Sequence, residues 1–409
     1  MSEKSFRILA ALAIIGLLVG SWGMFDRLAH GHISMAYGSY VPWGLWVVFY
    51  LFFVGLTAGA FLITILTYVF GVKRFESVGP LSAFTVLIAL LCELTFISLD
   101  LGHMFRIYRF LVTPSFTSLM TWFVIFTVAM LVLYLLESFC LLRRELVAWA
   151  EDANRKGRGF YRLLSLGKTE YTEEDRLLDD RRVKVLSLIS LPLGLLFYGT
   201  NGVFFAILMN RPLWNSALTP ILFVLAALLS GGALITFLIH VFKYEEDLVL
   251  LLGRSVLFVL AAFFVIEITQ FLVGYVSGET AAVITLNLIA FGPNWWTFWI
   301  VHLLAGTLIP LYLLVFRPRD PGAVAWACAL VVVTFVAVRF NFLIPDLAVI
   351  ELEGLQHAFH HPRLQTSYTP SMSEWLVSLW IISLGILAFI AGTRWLPVVS
   401  QREGGHEHA

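Results

Sequence analysis

The sequence predicts an all-α, polytopic membrane fold of ten transmembrane helices. Helices 2–5 and 6–9 form two parallel four-helix bundles, helices 1 and 10 flank them, and both termini are cytoplasmic. Three observations carry the prediction. Of 409 residues, 59% are hydrophobic and only 13% charged, with a mean hydropathy of +0.87, far from the balance of a soluble domain. Ten apolar runs reach the ~20 residues needed to cross a bilayer core. Lys and Arg concentrate on alternate connections, as cytoplasmic loops require.

The spans are read at 6–24, 43–70, 79–100, 118–142, 184–209, 217–242, 248–277, 295–316, 322–343 and 374–395. The first follows a charged start, Met1 to Arg7, as a signal peptide would. It has no clear small-x-small cleavage site and is read as an uncleaved helix. The second opens on the aromatic stretch Tyr40 to Trp46 and the eighth on Trp295 to Trp299, both suited to the membrane–water interface. Between the fourth and fifth, 143–184 is the longest polar interruption and is read as a cytoplasmic loop. With the N-terminus inside, Lys4, Arg7, Lys73, Arg74, the cluster from Arg143 to Lys184, Lys243, Arg254, Arg317, Arg319, Arg394 and Arg402 are cytoplasmic. Only Arg27, Arg106, Arg109, Arg211, Arg339 and Arg363 fall outside.

A weak internal repeat underlies the two bundles, read as 43–209 and 217–343 within one membrane domain, 1–409. Ala58-Gly59-Ala60-Phe61-Leu62-Ile63-Thr64 resembles Ser230-Gly231-Gly232-Ala233-Leu234-Ile235-Thr236. One helix later Glu93-Leu94-Thr95 is echoed by Glu267-Ile268-Thr269, and one further Leu133-Tyr134-Leu135-Leu136 by Leu311-Tyr312-Leu313-Leu314. Matches four helices apart run in the same direction. The small residues in the first pair let helices approach closely.

Ionisable residues inside a span are costly and point to function. The stretch Leu91 to Arg106 carries Glu93, Asp100, His103 and Arg106 toward the outer end of the third span. Asp100 and His103, three apart, would share a helix face, and a carboxylate beside an imidazole suits proton exchange. Glu93 and Glu267, at repeat-equivalent places, are candidates for a proton route together with His302, near the start of the eighth span. Arg106, Arg109 and Arg339 are read first as cations snorkelling to headgroups. Further inward only Thr64, Thr67, Tyr68, Ser187, Ser190, Ser230, Thr236 and His240 are polar, enough for a water-assisted half-channel but also ordinary in helix packing.

Redox metals are not expected in this chain. Cys92, Cys140 and Cys328 stand alone with no C-x-x-C pair, so an iron–sulfur cluster or structural zinc is improbable. No two intramembrane histidines sit at matched depth, so haem is not expected either. Zero net charge gives no reason to invoke nucleic acid. The tail Gly404-Gly405-His406-Glu407-His408 is read as a polar end with adventitious metal affinity.

Several motifs together resemble the NrfD/PsrC family, the quinone-interacting membrane subunits of polysulfide-reductase type. They are Tyr40-Val41-Pro42-Trp43-Gly44-Leu45-Trp46, Gly55-Leu56-Thr57-Ala58-Gly59-Ala60, Asp100-Leu101-Gly102-His103, Arg339-Phe340-Asn341-Phe342-Leu343-Ile344-Pro345 and Tyr368-Thr369-Pro370-Ser371. The ten-span layout is similar to the branch that includes HybB, DsrP, QrcD and the membrane subunits of alternative complex III.

The resemblance implies a multi-pass protein of the cytoplasmic membrane, part of a respiratory oxidoreductase complex rather than a stand-alone enzyme. It implies a quinone, menaquinone first of all, bound near the outer face. It also implies an iron–sulfur, ferredoxin-like subunit docked there, joined onward to a multihaem cytochrome or other redox subunit. On this basis Asp100 and His103 contact the headgroup, Tyr40 and Trp43 form its wall, Arg106 favours an anionic headgroup, and Glu93 leads protons away. Relatives commonly carry Arg-Pro after Asp-Leu-Gly where this chain has His103-Met104. The alternative from another class is an ion- or proton-translocating, transporter-like subunit, or a passive anchor, because pumps also place repeat-related carboxylates in bundles.

Overall fold

A computed structural model describes residues 3–350, 354–361 and 363–399. The C-terminal His406 and His408 lie outside the described residues. Among the described residues the chain is helical with no strand, and ten helices are long and apolar enough to span a bilayer. They are α1 (Glu3–His30), α2 (Leu45–Val69, its last turn a wide π turn), α3 (Gly79–Asp100), α4 (Leu119–Glu151), α5 (Glu173–Ala206), α6 (Leu218–Val241), α7 (Glu246–Val276), α8 (Thr297–Phe316), α9 (Pro321–Leu347) and α10 (Met372–Trp395).

The expected polar loop at 143–184 is largely helix. α4 runs on to Glu151 and α5 begins at Glu173, leaving a connection that holds the short helix Arg158–Leu164. Charges one turn apart explain this: Arg182 lies 3.0 Å from Asp179, and Arg143 of α4 reaches the same carboxylate at 3.2 Å. A capping box, Thr172 with Asp175, starts α5. At ~1.5 Å per residue its 34 residues exceed the ~30 Å core, so the charged first turns project from it.

Helices α2, α3, α4 and α5 pack as one group, and α6, α7, α8 and α9 as a second; α1 lies along α10, which covers α3. The groups meet where α2 crosses α6. A Cβ on Gly59 would overlap the Gly231 carbonyl, so only glycine permits this backbone contact. The two segments paired as a sequence repeat therefore pack against each other.

The segments that precede α2 and α10 are tied to one carboxylate. Ser371 caps α10, and Glu374 reaches back to its backbone at 2.9 Å. The same side chain accepts from the Ala36 N–H at 3.0 Å and from the Tyr368 hydroxyl at 2.5 Å, while that hydroxyl accepts from the Leu45 N–H at 2.7 Å. Burial and the adjacent Glu374 push the Tyr368 phenol up, which keeps it a donor. The stretches Tyr40–Trp46 and Tyr368–Ser371 thus meet at the start of α2.

Candidate functional site: two cavities and a polar file

The first cavity opens among α2 to α5. Its walls are mostly apolar, with Trp43, Phe123 and Phe204 among the rings that line it. Tyr50 donates to Asn201 Oδ1 at 2.8 Å, and Asn201 donates to the Phe197 carbonyl at 2.8 Å, which orients the amide. Thr127 also lines the cavity; its hydroxyl is shared between the Phe123 carbonyl at 3.0 Å and Glu93 Oε1 at 3.3 Å. Glu93 is fully buried behind it, with Oε2 unpartnered. Asp100 lines the cavity and its Oδ1 is buried without a hydrogen bond.

Of the residues singled out in the sequence, the structure brings Asp100 and Trp43 to this cavity and sets Glu93 one hydroxyl away. His103 and Arg106 are exposed and line no part of it, although Leu101 and Ile107 on either side of them do. The shared helix face expected for Asp100 and His103 does not exist, because α3 ends at Asp100 and Leu101 turns to extended backbone. Buried Arg27 stabilises that end by donating to the Leu99 carbonyl at 2.8 Å and the Leu101 carbonyl at 2.9 Å. The Tyr40 hydroxyl points elsewhere and donates to the Leu355 carbonyl at 3.1 Å.

A second cavity lies among α6 to α9. Glu267 of α7 and His302 of α8 meet across it at 3.2 Å, with Gln270, Arg339 and Asn341 also lining it. His302 sits in a wide π-helical stretch, Thr297–Leu308, a geometry that recurs at functional sites. Thr297 donates to Asn341 Oδ1 at 2.6 Å. Arg339 does not snorkel outward: it is 3% exposed, its guanidinium 4.7 Å from the Phe223 ring and 5.3 Å from that of Phe335. Phe205 of the first cavity packs edge-on against Phe342 of the second at 5.2 Å, so one layer of rings separates them.

A match to the polysulphide reductase NrfD model covers residues 34–351, most of the chain and both cavities. The chain belongs to the NrfD family. It is 31% identical to a selenate reductase subunit of Mesobacillus selenatarsenatis, covering 100% of this chain and 97% of that one. The Hdr-like menaquinol oxidoreductase integral membrane subunit of Archaeoglobus fulgidus is 23% identical, over 96% and 94% of the two chains. A putative dimethyl sulfoxide reductase membrane subunit of Halobacterium salinarum is 27% identical, over 96% and 90%. This NrfD protein is therefore a multi-pass membrane protein whose relatives are membrane subunits of reductase complexes.

Thr64, Ser187 and Ser190, scattered in the sequence, line up with further polar groups in the structure. Tyr50, Thr57 and Thr64 recur every seven residues on α2, and Thr127 and Tyr134 do so on α4, which puts each set on one helix face. Thr57 and Tyr198 share a hydrogen bond of 2.9 Å. Further along, Ser187 donates to Glu137 Oε1 at 3.1 Å, and Glu137 is fully buried with Oε2 unpartnered. The buried hydroxyls of Thr64 and Ser190 flank that of Tyr134, and Ser190 donates to the Ser187 carbonyl at 2.8 Å. Together these groups form a polar file through α2, α4 and α5. Thr127 to Glu137 is ten residues along one helix, ~15 Å. A signal for Glu137 does exist in the sequence, a carboxylate next to the repeated Leu133-Tyr134-Leu135-Leu136.

Proposed function

We propose that the first cavity binds the headgroup of a quinol or quinone, menaquinone in the first instance. The chain is then the quinone-reactive subunit of a multisubunit oxidoreductase and serves an iron–sulfur subunit docked on the outer face. The observation that carries this reading is an apolar chamber whose few polar groups stand ready for a ligand: unpartnered Asp100 Oδ1, the Tyr50–Asn201 pair and the Thr127–Glu93 pair. Planar rings fit its aromatic walls, and a headgroup with two ring oxygens can meet several of these donors and acceptors at once. The name of the Archaeoglobus relative agrees with this chemistry.

A bound quinol supplies two electrons and two protons. Asp100 accepts a hydrogen bond from a ring hydroxyl and takes its proton, in line with general-base chemistry at hydrogen-bond distance. Tyr50 and Asn201 hold the other ring oxygen, and Trp43 closes the wall and excludes water. Exposed His103, between the cavity-lining Leu101 and Ile107, passes protons from the mouth to the outer medium, and exposed Arg106 adds positive charge near the mouth without lining the cavity. Glu93, screened by Thr127, begins a second route along the polar file to Glu137. Glu267 and His302 are the proton-exchanging pair of the second group. The Lys/Arg distribution supports an orientation with both termini and Glu137 toward the cytoplasm.

Replacing Asp100 by Asn in the assembled complex should reduce quinol turnover by roughly a hundredfold, the low end for loss of a positioned proton acceptor, and Trp43→Ala should weaken quinol binding. Unchanged turnover in the first variant together with unchanged binding in the second removes the assignment. The polar file favours a second reading, a subunit that conducts protons. Acidification of vesicles holding the chain without its partners would support that reading over the first.

A further inference from the structure

The second cavity holds more unsatisfied polar chemistry than the first. His302, Arg339 and Asn341 are 2%, 3% and 6% exposed, and each lines the cavity. His302 Nδ1, Arg339 Nε and Asn341 Nδ2 are all buried without a hydrogen-bond partner. Three such atoms around one space are expensive unless something fills it. The His302–Glu267 contact through Nε2 defines what that occupant must offer. A neutral imidazole that donates through Nε2 to a carboxylate leaves Nδ1 bare, as an acceptor. Arg339 and Asn341 bring only donors. The occupant must therefore both give and take a hydrogen bond.

Its route of entry is also visible. On the far side of Glu267 an apolar groove runs between α7 and α8, lined by Phe264, Ile268, Leu272, Phe298 and Leu303. Glu267, Phe271 and Phe298 belong to both spaces. Ile268 and Leu272 are exposed on the outside of the helix group, where lipid would surround them. Phe271 and Phe298 stack at 5.2 Å with an interplanar angle of 11°, a flat aromatic wall at the entrance.

We propose that the second cavity is a separate binding site, entered from the bilayer through this groove, for a quinone- or quinol-type lipid. A ring oxygen lies among His302, Asn341 and Arg339 and the isoprenoid tail lies along Ile268 and Leu272. A quinol hydroxyl donates to His302 Nδ1, and a quinone carbonyl accepts from Arg339 and Asn341, so one set of residues serves both redox forms. A phospholipid fits poorly. Its phosphate only accepts, is repelled by Glu267, and belongs at the interface. Glu267 lies nine residues, ~13 Å, from the end of α7 at Val276.

This inference does not rest on the reading of the first cavity, and the two are tested separately. The full-length chain in lipid nanodiscs is titrated with 2-heptyl-4-hydroxyquinoline N-oxide, a fluorescent quinol analogue quenched on binding, and the number bound per chain is counted. Two per wild-type chain are expected. One is lost in His302→Ala and in Ile268→Trp, and the other in Trp43→Ala. Ile268 faces outward, so Ile268→Trp decides the matter if His302→Ala does not fold. A count of one that neither His302→Ala nor Ile268→Trp changes overturns the second site. So does a phospholipid found by mass spectrometry to be retained by the wild type and lost in His302→Ala. Binding abolished by the second-cavity variants but untouched by Trp43→Ala supports this site and overturns the first. No binding to the wild type overturns both.

Discussion

The two helix groups place their polar residues differently. In the first, the cavity shows few polar atoms, and the fully buried Glu93 is hidden behind the Thr127 hydroxyl. In the second, carboxylate, imidazole, guanidinium and amide face one space, and the Glu267 side chain keeps 18% exposure. Away from the cavities the contrast reverses. The first group links side chain to side chain, Thr57 to Tyr198 and Ser187 to Glu137. In the second, Ser230, Thr236, Thr307 and Thr334 each donate to a carbonyl of their own helix. Thr57 and Thr127 of the first group also donate to their own helix, but each meets a second side chain as well, Tyr198 and Glu93. Similar helix groups thus give one cavity with a polar route behind it and one without.

The largest effect should come from the seam that holds the two groups together. Gly59→Leu drives a side chain into the Gly231 backbone, whose carbonyl already occupies the place a Cβ would need, and backbone cannot rotate away. Overpacking of flexible side chains costs about 1–3 kcal/mol, and this contact should exceed that range. Folded yield and melting temperature in detergent should collapse. Near-normal melting would show that the groups are joined elsewhere.

Next, the carboxylates should separate by function. Glu137→Gln keeps shape and removes a proton carrier, so proton release coupled to quinol turnover should fall by about a hundredfold in the assembled complex. Glu267→Gln should cost less of that coupling and act mainly on the second cavity, whose wall it forms beside His302. Equal loss in both variants would erase the difference between the two groups.

How much of this is legible in the sequence follows from what each signal depends on. The ten spans are legible because apolar length alone sets them, and the Glu93–Glu267 correspondence because a charge in a span stands out. The paired face of Asp100 and His103 fails because it assumes that α3 continues; Arg27, over seventy residues away in sequence, fixes its end. Arg339 reads as a snorkelling cation because an arginine near a span end usually is one, and only the packing of α9 against both α2 and α6 shows it buried. The polar file is present as seven-residue spacing on α2 and α4, but hydroxyls taken singly look like packing residues.

A smaller effect tests how the first cavity holds its ligand. Tyr50→Phe removes the donor to Asn201 while preserving the ring that packs at 5.3 Å on Phe123. A neutral hydrogen bond of this kind contributes about 1 kcal/mol, so affinity for a quinol analogue in the first cavity should weaken about fivefold. Occupancy of the second cavity should not move. A parallel loss in both would mean that Tyr50 acts on the packing of both groups rather than at its own site.

The smallest effect concerns pH and should be confined to the end of the first group where α2 begins and α3 stops. His32 packs there, its Nδ1 3.3 Å from the Tyr37 hydroxyl and its carbonyl accepting from Arg363 at 3.2 Å. Burial, then Arg27, holds its imidazole below the ordinary histidine range, with Arg363 adding to the effect. Besides these cations, Asp100 and Glu374 lie around the same end. A histidine with a depressed folded pKa binds its proton more readily when unfolded. Its contribution is therefore intact above the ordinary value near ~6.5 and is lost as pH falls below it. Melting should drop by about 2 °C between pH 7.5 and 5.5, and His32→Phe should flatten part of that slope. A slope that persists unchanged in His32→Phe would move the acid sensitivity to the carboxylates, Asp100 and Glu374, that share this end of the molecule.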